Sequence, residues 1–185
     1  MRIVLENRKR MSRLSGILII IFLLNSSILS GQDISQKYPD LIKRVERINK
    51  DDSLEKVILE NEEFMTQMTD GGGELIGYFE SGQIQKITAK IGLSFGIETF
   101  DYYFTDGKLI FTYELLEGFP YNDSTSKFDY TNLETSFVGR YYFKDIKLID
   151  SETTGHDRFE DEMFDVGTTL IKEMNEYLDK LKKKK

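Results

Sequence analysis

Between Glu98 and Glu114 the chain reads Glu-Thr-Phe-Asp-Tyr-Tyr-Phe-Thr-Asp-Gly-Lys-Leu-Ile-Phe-Thr-Tyr-Glu. Two runs of aromatic and β-branched residues flank Asp106-Gly107. A two-residue type I′ turn needs positive φ at both central positions, and Asp-Gly supplies it, so the stretch predicts a β-hairpin with Thr105 opposite Lys108. Side chains on a strand alternate with a period of two. Strict pairing then puts Phe100, Tyr102 and Phe104 on one face with Leu109, Phe111 and Tyr113. Asp101, Tyr103 and Thr105 share the other with Lys108, Ile110 and Thr112. The first face is nearly all aromatic and has to be buried against something.

The same tip occurs three times. Tyr78-Phe79-Glu80-Ser81-Gly82-Gln83-Ile84, Tyr103-Phe104-Thr105-Asp106-Gly107-Lys108-Leu109 and Tyr142-Phe143-Lys144-Asp145-Ile146-Lys147-Leu148 share one pattern, the third without the turn glycine. Over these seven residues alone the tip loosely resembles the hairpins of MORN-type repeats, and convergent hairpin chemistry explains it as well. The copies stand at unequal intervals, which does not support a solenoid. Around them the sequence predicts an antiparallel meander. Leu75–Glu80 pairs with Gln83–Leu93, with Glu80 opposite Gln83 and Ile76 opposite Ile87, and Ser136–Lys144 pairs with Lys147–Glu152. Residues 53–68 fit a helix or a strand, and Val57-Ile58-Leu59 tips the choice to a strand over Lys56–Glu62. Residues 118–134, with Pro120, Asn122, Asp123, Ser124, Ser126 and Asn132, read as a long polar loop.

Two helices are expected to cover the meander. Over residues 33–50 Ile34, Tyr38, Leu41, Val45 and Ile48 step by three or four, with Pro39 tolerable only in a first turn, so a short regular helix spans 38–50. Phe159, Met163, Val166, Leu170, Ile171, Met174, Tyr177, Leu178 and Leu181 make one long stripe, so a second helix spans 157–183, with Asp157 as its cap. The fold class is therefore α+β: an antiparallel meander of about six strands, a short N-terminal helix, and a long C-terminal amphipathic helix packed on one face.

Residues 1–31 have the plan of a secretory signal. Arg8, Lys9, Arg10 and Arg13 precede an apolar run from Gly16 to Leu24, and a small, polar stretch follows to Gly31. The run Ile17–Leu24 is far short of the roughly 20 residues of a spanning helix. The expectation is an exported, periplasmic or secreted protein, with residues 32–185 as a single domain. Membrane contact would come only through an uncleaved signal segment. Residues 1–31 hold five of the 25 basic and one of the 32 acidic side chains, so the remainder has 20 and 31 and a net charge of −11. A surface this acidic repels phosphate backbones and argues against a nucleic-acid partner. Without cysteine there is neither a disulfide framework nor a thiolate metal site.

Catalytic signals are sparse. His156 is the single histidine. Asp150, Glu152, Thr154 and Asp161 have the length of an EF-hand calcium loop, but Glu152, Thr154 and Asp161 depart from its ligand set, so no metal is assigned. Gly71-Gly72-Gly73 lacks the flanking pattern of a phosphate-binding loop and reads as a flexible connection. No serine is marked as a nucleophile, and no cofactor or catalytic residue is assigned. Strand parity leaves Tyr103, Ile110, Tyr142 and Ile149 opposite the main core. If helices cover one face only, these four form an exposed interaction patch; if both faces are covered, they are core. The sequence thus favours an exported, non-enzymatic binding or interaction module, inhibitor-like in one form, whose partner is another exported protein or a small ligand. The competing reading is a small-ligand-binding or hydrolytic enzyme with a carboxylate-lined cleft between the C-terminal helix and the sheet.

Overall fold

The structure is a computed structural model and describes residues 37–155 and 164–185. The chain divides into two compact units, Met1–Ile42 and Lys43–Lys185. Of the first unit only residues 37–42 are described, so the expected signal lies outside the described residues. Helix α1, Pro39–Lys50, crosses the boundary. It opens on the predicted proline, with Asp40 in its first turn and Arg47 and Lys50 in its last, where each sign suits the helix dipole.

The second unit is built on one antiparallel sheet of seven strands in the order β1-β2-β3-β4-β5-β8-β9. They are β1 Glu55–Glu60, β2 Gly73–Glu80, β3 Gln83–Leu93, β4 Gly96–Thr105, β5 Lys108–Gly118, β8 Glu134–Lys144 and β9 Lys147–Gly155. Strand β1 ends two residues earlier than expected. Asn61 takes a left-handed φ of 47°, and Glu60 and Glu63 cap the 3-10 turn Asn61–Glu63 reciprocally. The predicted polar loop contains a second, two-stranded sheet, β6 Tyr121–Asn122 with β7 Lys127–Phe128.

All three repeated tips close as expected, with Glu80↔Gln83, Thr105↔Lys108 and Lys144↔Lys147, and each then carries a β-bulge at its Tyr-Phe pair. Phe79, Phe104 and Phe143 face Ile84, Leu109 and Leu148. The tyrosines before them skip a residue and face Lys86, Phe111 and Asp150, so Gln85, Ile110 and Ile149 are the inserted residues. One inserted residue reverses the parity of everything beyond it. Three expectations from strict alternation fail for that reason. Ile76 faces Thr88 rather than Ile87, Tyr103 faces Phe111 rather than Ile110, and Phe111 and Tyr113 lie on the face of Tyr103 and Asp101.

The core face carries Leu75, Phe79, Ile84, Ile87, Phe100, Tyr102, Phe104, Leu109, Tyr141 and Phe143, packed with Leu170, Met174 and Leu181 of helix α2, Val166–Lys184. Each large apolar side chain buried there contributes about 1.5–3 kcal/mol. The helix begins later than the stripe predicts, because Asp165 adopts an extended backbone and its side chain accepts from Thr168 N–H. That cap starts the helix at Val166. His156, the expected cap Asp157, and Phe159 and Met163 lie outside the described residues. From Gly167, which abuts Leu148 of β9, α2 crosses the sheet to β2, where a Cβ on Gly77 would sit 2.9 Å from Leu181 Cδ1. Its last turn reaches the β1 edge. Lys180 Nζ donates to the Phe64 carbonyl, Lys184 pairs with Glu63, and Lys185 pairs with Glu55 at 2.9 Å. Among the described residues no helix is long and apolar enough to cross a membrane.

Candidate functional site: an exposed aromatic excursion

The four residues that would be an exposed patch if one face were covered, and core if both were, do not behave as one set. Tyr103 and Tyr142 come together, with Phe111 between them at ring distances of 5.7 and 5.1 Å. The two tyrosines are only 3% and 1% exposed. Ile110 and Ile149 are bulge residues, half-buried and 48% exposed respectively. The parity shift replaced the pair Tyr103–Ile110 by the ring pair Tyr103–Phe111, and aromatic surface of this extent is driven out of water.

Beside these rings lies a polar clasp. Lys86 Nζ contacts Asp101 Oδ2 at 3.0 Å and donates to Asn49 Oδ1 of α1 at 3.1 Å. Tyr103 Oη donates toward the same Asn49 Oδ1 at 3.1 Å and lies 3.3 Å from Asp101 Oδ2. Thr88 Oγ1 donates to Asp101 Oδ1 at 2.6 Å. The Lys86 ammonium also faces the rings of Tyr78 and Tyr103 at 5.7 and 5.0 Å. Burial, and then the Asp101 carboxylate, push the Tyr103 phenol well above its ordinary value. Every charged group here is engaged within the clasp, which suits a fastening between α1 and β3–β4 and leaves no reactive group free.

On the core face, Glu114 is fully buried and accepts from Tyr141 Oη at 3.1 Å. Tyr102 Oη lies 3.4 Å from Glu173 Oε2 of α2. Thr112 sits in register between Tyr102 and Tyr141, and its buried hydroxyl has no hydrogen-bond partner. A cleft of about 330 Å³ opens along α2, lined by Phe64, Met65, Thr66, Glu173, Glu176 and Tyr177 among others. Gly71-Gly72-Gly73 is a tight crossing rather than a flexible connection. A Cβ on Gly71 would lie 2.7 Å from Gly92 Cα. The three N–H groups donate to Gly92 O, Thr69 O and Asn61 Oδ1, so none is left to cradle an anion. Among the described residues no three His, Cys, Asp or Glu side chains converge as a metal site.

The exposed aromatic surface lies at the other end of the sheet from the tips. Residues 119–133 leave β5 and return to β8 through the β6–β7 hairpin. Phe119 packs edge-on to Tyr130 at 5.0 Å, Tyr130 meets Phe128 at 6.2 Å, and Phe128 meets Tyr121 at 5.2 Å. Phe119 N–H donates to Phe95 O at 2.8 Å, joining the β3–β4 turn to the row. The backbone is pinned by local polar bonds. Asn122 Oδ1 accepts from the N–H groups of Ser124 and Thr125. Asp129 accepts from Thr131 and Asn132, and bonds from the Thr131 hydroxyl and N–H hold its carboxyl below the usual range. Of the ten tyrosines, Tyr121 and Tyr130 are the exposed ones, at 52% and 66%, and Phe95 is exposed beside them.

No protein-family model matches the chain, and no curated protein or solved structure matches it either.

The polar residues of 118–134 had concealed this surface. A usable signal was present. Phe119-Pro-Tyr121 and Phe128-Asp-Tyr130 each place two aromatics two residues apart, on either side of an Asn-led turn. That is the period of a strand with one aromatic face.

Proposed function

We propose that the protein is an exported, non-enzymatic interaction module that meets its partner through the aromatic excursion. The carrying observation is the exposure of Tyr121 and Tyr130 on a pinned hairpin, while the other eight tyrosines are buried or half-buried. Exposed tyrosines on a rigid support are typical contact residues, because they bring large area at small entropic cost. The basic, then apolar start of the sequence supports export. A photo-crosslinker at Tyr130, compared with one at Ile58 on the β1 edge, tests this in cells that produce the protein. The expected result is a discrete adduct from position 130 and none from 58. Equal labelling from both positions, or none from 130, overturns the reading.

A second reading, a ligand-binding or hydrolytic cleft, is supported by Glu173 and Glu176 lining the same space beside α2. Carboxylates there could bind or activate a polar substrate. Saturable NMR shifts confined to Met65, Thr66 and Tyr177, lost in Glu173→Gln/Glu176→Gln, would favour it over the first.

A further inference from the structure

We propose that the partner segment captured by the excursion is an extended, cationic peptide, its Arg or Lys side chains lying on Tyr121 and Tyr130 and its charge met by Glu117, Asp123 and Glu134. This rests on the interaction-module reading. Aromatic faces carry negative quadrupole charge and attract guanidinium and ammonium groups. The rings are held against one another in the row Phe119–Tyr130–Phe128–Tyr121 at steep interplanar angles of 55–70°. More than half of the surface of Tyr121 and of Tyr130 still faces water.

Charge supplies the second half of the match. Between Glu117 and Glu134 there are four carboxylates, Glu117, Asp123, Asp129 and Glu134, against one base, Lys127. Among the described residues Glu117, Asp123 and Glu134 form no ion pair. Some acids elsewhere are matched, Asp101 with Lys86, Asp145 with Lys108, Glu63 with Lys184 and Glu55 with Lys185; what sets residues 117–134 apart is that their acid excess stands beside exposed rings. A local excess of carboxylates raises the concentration of cationic groups around it and steers them to it. A neutral sugar chain fits less well, because Asp129, Thr131 and Asn132 bond to one another and Asn122 Oδ1 is spent on its own turn.

The test uses defined probes: a pentapeptide Arg-Gly-Arg-Gly-Arg, its Gln-for-Arg counterpart, and chitotetraose. Each is titrated into the protein with amide NMR and calorimetry as readouts, at low ionic strength and at about 0.15 M, where the Debye length is about 8 Å. The expected result is saturable binding of the Arg peptide, with shifts confined to 95 and 117–134. Affinity should fall at least about tenfold in Tyr121→Ser/Tyr130→Ser, the scale of two lost cation–π contacts. It should fall also in Glu117→Gln/Glu134→Gln and not in the remote Glu62→Gln. Absence of saturable binding overturns the proposal. So does an Arg-peptide affinity indifferent to the tyrosine pair, which would mark diffuse attraction to an acidic surface. Tyrosine-dependent binding of chitotetraose or of the Gln peptide, with none of the Arg peptide, overturns the cationic partner and leaves the excursion standing as a contact surface. A position-specific crosslink at 130 with no Arg-peptide binding separates the two failures in the same way. Thermal midpoints of the variants confirm that each is folded.

Discussion

The two ends of the sheet use the same materials in opposite ways. At the tip end, three Tyr-Phe hairpins turn through two-residue loops, and each sends its phenylalanine into the core beneath α2. Lys108 and Asp145 join the second and third tips at 3.2 Å. At the far end, two aromatic pairs, each two residues apart, meet one another instead of the core. Two of their tyrosines stay in water, and the nearby acids have no ion-pair partner among the described residues. The difference lies in length and depth of pairing. Strands of eight to eleven residues form the repeated β2–β3 and β4–β5 hairpins and can press a whole face against a helix. The two-residue strands β6 and β7 cannot, and an isolated hairpin of that size needs local bonds to hold at all. Aromatic residues at the tip end therefore make the fold, and those at the far end are available for contact.

Five variants can break this contrast. The largest effect belongs to Phe104→Ala at the central tip, which should lower stability by about 3–5 kcal/mol, as for a fully buried phenylalanine; denaturant midpoints with an unchanged slope check it. Next comes Asp101→Asn in the clasp. It leaves the Lys86 ammonium mostly buried without its counter-charge and should cost about 1–3 kcal/mol. The same region gives a pH dependence. The Tyr103 phenol titrates higher in the folded protein than in the unfolded chain, so its contribution is complete below the ordinary phenol range near pH 10 and is lost as pH rises through the folded value. Stability measured from pH 8 upward should fall more steeply in the parent than in Tyr103→Phe. A smaller effect of opposite sign comes from the third tip. Ile146 holds φ of 60° where the first two tips have glycine, and a β-branched residue is strained there. After the entropy that glycine loses is subtracted, Ile146→Gly should raise stability by about 0.5–1 kcal/mol. The smallest effect sharpens the contrast most. Tyr121→Ser/Tyr130→Ser should change stability by no more than about 1 kcal/mol, as at ordinary surface sites. A loss comparable to that of Phe104→Ala would make the excursion a second core and remove its claim to be a contact surface.

Much of the fold was legible because turns and helix stripes are local. Asp106-Gly107, Ser81-Gly82 and the Pro39 start each state their conformation within a few residues. The bulges were less visible, since strict alternation is the default and one inserted residue defeats it. A trace was there in β3: Ile84 and Ile87 both reach the core, three residues apart rather than two. Reading that spacing would have put Ile87 opposite Gly77 rather than Ile76. The late start of α2 was hidden because the apolar stripe continues through residues before Asp165, and only the Asp165–Thr168 bond marks the boundary. The excursion was misjudged for a different reason. Its turn residues outnumber its rings, and whether a ring is spent on the core or on water depends on how much sheet lies behind it, which composition does not state.

The bonds from the last turn of α2 to β1 also bear on the order of folding. Most pairings in the meander join neighbours along the chain, so the hairpins from β2 onward can close early and at small loop cost. The edge strand β1 is different. Glu55, Glu63 and Phe64 are held by Lys185, Lys184 and Lys180, more than a hundred residues away in sequence. Its outer edge gains this cover only when the helix has laid its whole length across the sheet. Amide hydrogens of β1 should therefore exchange with solvent as a unit with the final helical turn, sooner than those of β4 and β5, whose protection comes from strands on both sides.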